Sequence, residues 1–411
     1  MDPEMVVDPD DDRMEDANPD DFPNVFSFAN PDDSATISVS VPYLDLAKLE
    51  GEFNTPALLY RLLHMLEVCT NQKPEISKKI LQAFRNSYDV EFIRKYNSLI
   101  SNEIDCSPFS NSVLTTAENS SATSIDAAQA ELKRWQDSGV KESIRTAMVQ
   151  LFDAYFSSGR FSDATKFGVK ESIRTAMVQL FDAYFSSGRF SDATKLYSKS
   201  IRDFSSSPRS VIPMLLDQIK GLMFMRDFSR VEIFLAQTER AIADCQQRES
   251  IANMEMNRSQ SSSMYPRDDK LQKATMLLSQ SATAKVAAVY GVVRMHLKQY
   301  KQAAEKFVQI DHEIFDYPEL FATIDIAYYG CFCALATFDR QQLLDKVLNN
   351  GNFRKFMEPE GKLVDLIQAF RNNSFVTVFE LLEQLRPSLL LNLYISKHVD
   401  NIYQLIRRRA F

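Results

Sequence analysis

The sequence predicts an all-α protein built as a right-handed stack of helical hairpins, and three observations predict it. Short polar turns, each followed by an aromatic residue that opens an amphipathic segment, recur at Phe190, Phe228, Tyr300, Phe338 and Phe375. A small residue stands three positions after most of these aromatics (Ala193, Val231, Ala303, Val378), where it lets the second helix close on the first; Gln341 breaks the pattern after Phe338. The spacings of 38, 72, 38 and 37 residues define a unit near 37, with one turn missing near 264. Helix–turn–helix repeats of the tetratricopeptide kind have this length and this corner chemistry. Composition agrees: the 411 residues hold 10 glycines and 45% hydrophobic residues, ample for sizeable cores, and the best alternating stretch is Ala35–Pro42.

Taken in order, residues 1–34 read as a disordered acidic tail. Residues 1–33 hold twelve acids against the single base Arg13, a balance of −11, so the total of −8 leaves +3 for residues 34–411. Five prolines interrupt this segment, and Phe22, Phe26 and Phe28 are candidate docking anchors within it. Residues 35–104 form an N-terminal helical segment, with helices expected at Leu44–Leu49, Pro56–Cys69, Lys78–Tyr88 and Val90–Ile100. The Ser-, Thr- and Asn-rich residues 105–124 read as a flexible loop. Asp126 with Gln129 then supplies a cap for a helix through Gln136 that Gly139 stops. Residues 125–245 carry helical repeats, 246–269 a linker in place of the missing turn, and 270–411 further helical repeats.

Within the repeats, Gly139–Lys166 recurs without change as Gly168–Lys195, separated by Phe167. Repeat families share patterns, whereas an identical run of this length marks a recent duplication or an assembly error in the gene model. The second copy runs directly into Leu196, Tyr197 and Ile201 and is expected to make the ordinary hairpin, while the first packs as an extra helix or bulges out.

No catalytic, cofactor-binding or metal-ligating set is legible. His64, His296, His312 and His398 are far apart and form no zinc-binding pair. Cys331 and Cys333 straddle Phe332 on a helix, where a two-residue offset aims them at different faces, so they read as packing residues; the five scattered cysteines fit a reduced compartment. Arg407-Arg408-Arg409 reads as a solvated helix end, with contact to phosphate or an acidic partner as the other option. Asn119-Ser120-Ser121 matches a glycosylation sequon but lacks a secretion signal upstream. No uninterrupted apolar run of membrane-spanning length is evident, and a soluble, intracellular protein is expected.

Between Phe315 and Leu343 the wording becomes specific: Phe315-Asp316-Tyr317-Pro318-Glu319-Leu320, then Ala327 through Thr337-Phe338-Asp339-Arg340-Gln341-Gln342-Leu343. Together with Phe353–Phe356, Leu381-Leu382-Glu383-Gln384-Leu385, Leu389 through Tyr394, His398-Val399 and Ile406–Ala410, it resembles the subunit 1 family of the COP9 signalosome. Looser similarity covers Glu171–Ala241 and, faintly, Tyr43–Leu66. The resemblance implies a PCI-type subunit, whose helical-repeat arm leads into the helical part of a PCI domain and then a winged helix. It further implies a non-catalytic scaffold, cytoplasmic and nuclear, within an eight-subunit complex that removes NEDD8 from cullins. Partners would be the other signalosome subunits and, indirectly, cullin-RING ligases; in that family the isopeptidase zinc belongs to another subunit. The large proteasome-lid subunit has the same architecture, and the Ala334–Arg340 wording favours the signalosome over it; a PCI-type scaffold of the proteasome lid or of a translation initiation factor complex is the alternative. Two departures stand out: the duplication, and a chain that ends at Phe411 before the segment matching the winged helix. A body of only +3 argues against strong phosphate binding, so nucleic acid is not an expected partner, nor is a membrane.

Overall fold

Residues 38–41, 44–101, 106–153, 162–204, 208–258 and 269–410 are described by a computed structural model. Among them there is no strand; one isolated bridge joins Val39 to Cys69, within the region of alternating residues. The N-terminal helices are α1 (Leu46–Glu52), α2 (Thr55–Val68), α3 (Lys73–Ala83) and α4 (Val90–Ile100). Helix α3 starts at Lys73 rather than Lys78, because Pro74 falls in the first turn, where its missing N–H is no loss. The acidic segment 1–34 lies outside the described residues.

Next come α5 (Asn111–Asp153), α6 (Ser162–Ser186), α7 (Phe190–Phe204), α8 (Pro208–Phe224), α9 (Phe228–Arg258), α10 (Asp269–His296) and α11 (Tyr300–Val308). After α12 (Thr323–Thr337), a single turn α13 (Arg340–Gln342) passes into a π-helix, Leu343–Leu348. The chain closes with α14 (Gly351–Met357), α15 (Gly361–Arg371), α16 (Phe375–Leu390) and α17 (Val399–Ala410).

Two expectations are corrected. The loop read over 105–124 is helical from Asn111, and this helix continues through Asp126 and Gly139. Its hydroxyl-rich sequence is accommodated because Thr116 and Thr123 bond the carbonyls of Ser112 and Asn119 one turn back, while Ala117, Ser121, Ile125 and Leu132 form a thin buried stripe. The linker read over 246–269 is helical to Arg258 and again from Asp269. The doubled corner spacing is therefore not an interrupted repeat. It arises because α9 and α10 have 31 and 28 residues where α7 and α8 have 15 and 17. Thr275–His296 in α10 is long and apolar enough, by length and composition, to cross a membrane, though Lys285 and Arg294 interrupt it; half of its most apolar window is buried inside this molecule, where α10 packs on α9 and α11.

The duplicated sequence is used in two ways. Its second copy forms the hairpin α6–α7, whereas residues 139–153 of the first extend α5 and residues 162–166 begin α6; the first copy's turn, 154–161, lies outside the described residues.

Four of the five aromatic corners share one backbone geometry. Gly188, Arg226, Lys298 and Asn373, each two residues before the aromatic, are the described residues with positive φ (74°, 56°, 59° and 61°). At each corner two amides turn back onto the preceding helix: Gly188 and Arg189 donate to Phe185 and Tyr184, Arg226 and Asp227 to Met223 and Leu222. Lys298 and Gln299 do the same to Met295 and Arg294, and Asn373 and Ser374 to Phe370 and Ala369. These bonds satisfy carbonyls the helix end would leave unpaired. The next residue's carbonyl then starts the new helix, accepting from Ala193, Val231, Ala303 or Val378. Those four small residues are all fully buried. The corner at Phe338 differs: Phe338 and Asp339 are extended, Gln342 caps back onto the Asp339 amide, and Gln341 stays exposed.

Close approach is reinforced from the facing helices. A Cβ built on Gly291 would lie 2.6 Å from the ring of Phe307, and one on Gly330 would lie 2.6 Å from Phe353 and 3.1 Å from Phe307. Phe307 is thus gripped between α10 and α12.

The geometry sets two expected outcomes. Gly188→Ala combines left-handed backbone strain with a clash against Asp89, whose carboxylate would sit 2.1 Å from the new Cβ; chemical denaturation should show a loss of about 2 kcal/mol or more. Ala303→Leu, which overfills a site with no exposed area, should cost about 1–3 kcal/mol by the same measurement.

Candidate functional site

Charged and polar groups concentrate where the N-terminal helices meet the repeats. Arg61 on α2 and Asp325 on α12 form an ion pair at 2.5 Å, with their side chains 6% and 4% exposed. Both groups hold further partners. Arg61 also donates to the Leu320 carbonyl at 3.0 Å and lies over the Phe53 ring at 4.1 Å. Asp325 accepts from the Ala322 amide at 2.9 Å and from the Asn392 side chain at 2.6 Å, and Asn392 in turn accepts from the Tyr329 hydroxyl. Burial works against the Arg61 charge, but Asp325 outweighs it and the guanidinium pKa lies above its ordinary value. Burial also raises the Tyr394 hydroxyl to about 12. This centre is a joint, tying α2, α12 and the segment after α16 together.

A second centre lies on the repeat side. Lys220 on α8 reaches Asp217 at 3.1 Å and Glu319 at 3.2 Å, beneath the rings of Phe185 and Phe181. Burial lowers the affinity of its ammonium for a proton, yet the surrounding acids prevail and its pKa is raised. At the N-terminal edge, Asp89 caps α4 through the Phe92 amide at 2.9 Å and accepts the Tyr60 hydroxyl at 2.9 Å, beside the Gly188 corner.

The residues singled out from sequence find separate places. His64 is half-buried, its Nε2 3.2 Å from the Leu390 carbonyl, and burial with Arg226 nearby lowers its pKa to about 4. His296 stacks on Phe228 at 4.2 Å, and its ring lies 6.3 Å from that of His398, which faces the Tyr300 hydroxyl; His312 packs on Phe356. The fold thus brings His296 and His398 together across 102 positions, yet among the described residues no three His, Cys, Asp or Glu side chains gather closely enough to hold a metal. Cys331 and Cys333 are both fully buried, with thiol pKa values pushed up by burial. The two-residue offset does not expose either, because α12 is packed by α11, α14, α15 and α17 around its circumference.

The arginine run separates into three roles. Arg409 turns inward and donates to the carbonyls of Leu335 and Phe338, closing the C-terminus of α12. Arg407 pairs with Glu383 at 3.8 Å, and Arg408 is exposed. The inward turn of Arg409 corrects the expectation of a solvated helix end, and no spacing rule in the run distinguishes it from its neighbours. The Asn119 sequon lies inside α5, with Ser121 buried. An open groove beside the π-helix is lined by Glu305, Lys346, Asp345 and Asn350; there the Asn350 amide already donates to Val308 and its oxygen caps α14.

Comparison with known proteins places this architecture. Residues 161–346 match the family model described as 26S proteasome subunit RPN7. The chain is 24% identical over 400 residues to COP9 signalosome complex subunit 1 of Caenorhabditis elegans, covering 92% of this chain and 62% of the relative. It is 26% identical to subunit 1b of Drosophila melanogaster (72% of this chain, 45% of the relative) and 31% identical to subunit 1 of Arabidopsis thaliana (68% and 49%). The chain therefore spans about half to three fifths of the length of these relatives.

The buried joint and His64 each set an expectation. Arg61→Met strands the Asp325 carboxylate and should destabilise by about 3–5 kcal/mol, whereas adding Asp325→Leu should recover most of it, read by denaturant titration as a double-mutant cycle. For His64, the folded pKa of about 4 lies below the ordinary value of 6.5, so the unfolded chain binds the extra proton first. Stability should fall as pH drops from 6.5 toward 4, by up to about 3 kcal/mol, and His64→Gln should flatten that slope in thermal scans.

Proposed function

We propose that this chain is a homologue of COP9 signalosome subunit 1 and a non-catalytic scaffold subunit supporting removal of NEDD8 from cullin-RING ligases. The observation carrying this reading is the extent of the match: similarity to proteins named as subunit 1 of one complex runs through most of the chain, over a stack of helical hairpins. Such stacks recognise proteins through surfaces assembled from successive repeats. Buried Arg61, Asp325 and Lys220 and half-buried Arg409 are engaged in joining helices. In this reading the isopeptidase is a different chain, the partners are the other signalosome subunits, and the subunit works in both cytoplasm and nucleus.

A second reading has one observation in its favour. The family model matching the repeats is described by a proteasome subunit, so a scaffold in the proteasome lid is the alternative, with translation initiation complexes behind it.

Affinity purification of the tagged full chain from cells that make these complexes distinguishes the readings. Stoichiometric recovery of the other signalosome subunits is the expected result, and recovery of lid subunits or initiation factors instead would replace it. The purified chain alone should release no NEDD8 from a cullin conjugate; turnover by the isolated chain would refute the scaffold assignment.

A further inference from the structure

Asn350 is the one asparagine of this chain that is followed by glycine, and it stands just before α14, on the wall of the groove beside the π-helix. Both ends of its side-chain amide are held. Nδ2 donates to the Val308 carbonyl at the end of α11 at 3.0 Å, and Oδ1 accepts from the Asn352 and Phe353 amides at 3.1 and 3.3 Å. The Asn350 main-chain carbonyl takes the Arg354 amide at 2.9 Å. Asn350 thereby fastens the start of α14 to the end of α11, while Phe353, Phe356 and Met357 bury the other side of the helix.

Packing does not call for the glycine that follows. Gly351 is exposed, its φ lies outside the left-handed region, and a Cβ built on it would meet no atom within 4 Å. Alanine would also be the better helix former there. What glycine brings is chemical: with no Cβ beside it, the 351 amide nitrogen is unshielded toward the carbonyl carbon of the preceding asparagine side chain.

We propose that Asn350 is a deamidation site whose rate is set by opening of the α11–α14 contact. In the reaction the Gly351 nitrogen gives its proton to solvent and bonds to Cγ of Asn350. The Cγ–Nδ2 bond breaks, and Nδ2 takes a proton from solvent and leaves as ammonia, so a cyclic imide remains. Water then adds to one imide carbonyl and the C–N bond there breaks, giving aspartate or, with the main chain rerouted through the side chain, isoaspartate. While α14 is closed, Cγ cannot turn onto the Gly351 nitrogen without giving up Val308, Asn352 and Phe353, so the amide is spared. Local fraying of α14 releases it. Neither product can donate to Val308, because the donor has left as ammonia, and isoaspartate adds a methylene to the main chain where the helix begins. Each event is therefore irreversible and loosens α14 from α11.

Ageing of the full chain at mildly alkaline pH, with peptide mapping by mass spectrometry to locate lost amides and isoaspartate, tests this. In guanidinium chloride Asn350 should react severalfold faster than asparagines followed by serine, such as Asn373, and in the folded chain Asn350 should react severalfold more slowly than in the unfolded one. Gly351→Ala, which the open space at that position accepts, should slow the unfolded reaction severalfold without lowering thermal stability. Hydrogen exchange of the aged, folded chain should show severalfold less protection at the Phe353 and Arg354 amides in the deamidated fraction, with Val292 and Val293 of α10 unchanged. No preference for Asn350 in the unfolded chain would overturn the site. Equal rates in the folded and unfolded chain would overturn the gating, and full protection of Phe353 and Arg354 after deamidation would overturn the loosening. None of these readouts depends on the scaffold assignment.

Discussion

Ala193, Val231, Ala303 and Val378 occupy equivalent places at successive corners, each fully buried and each donating its amide to the residue that ends the turn. Their size limits how near the second helix can come to the first. With a methyl or isopropyl group there, the aromatic one turn earlier, Phe190 or Tyr300, is drawn down into the seam instead of standing out from it. Interiors are close-packed and tolerate little added volume, so this one dimension propagates into the spacing of the stack. The left-handed residue before each corner serves the same end, since it reverses the chain quickly enough to lay the helices side by side. Where these features are missing, after Phe338, the chain forms a short turn and a π-helix instead of another close pair.

Ion pairs hold the pieces in register without adding much to stability. Desolvating Arg61 and Asp325 offsets most of what their attraction supplies, and a well-packed apolar pair could do as well energetically. What the pair supplies is geometry. A guanidinium that must meet one carboxylate and the Leu320 carbonyl permits one placement of α2 against α12, whereas an apolar contact would allow sliding. Lys220 and Arg409 act similarly, one holding the segment before α12 and the other sealing the end of that helix. Helix α12, buried on all sides, is the element on which these contacts converge.

The exact duplication shows how context selects among identical segments. In the second copy the helix after the corner continues with Leu196 and Tyr197, and Tyr197 stacks on Phe181 at 4.6 Å with no exposed surface. After the first copy the corresponding positions are Phe167 and Gly168, so a glycine stands where the stacking tyrosine would be needed. The second copy therefore closes the hairpin, and the first is drawn into the long helices α5 and α6. An identical sequence cannot determine this; the residues that follow it do.

The sequence by itself determined the helical class and the corners, because both rest on local chemistry: aromatics at near-constant spacing, small residues three positions later, and few glycines. It also carried the wording around Phe315–Leu343 that links the chain to its relatives. It misread 111–124 and 246–258 as irregular, since Ser, Thr and Asn favour turns in isolation; over 111–124 a buried stripe that includes Ala117 and continues to Ile125 and Leu132 tips the segment to helix. Nor could it pair Arg61 with Asp325, 264 positions away, or separate Arg409 from Arg408. Those contacts were decided by the tertiary structure alone, because a charged side chain finds its partner only after the packing of apolar faces has fixed which distant segments meet.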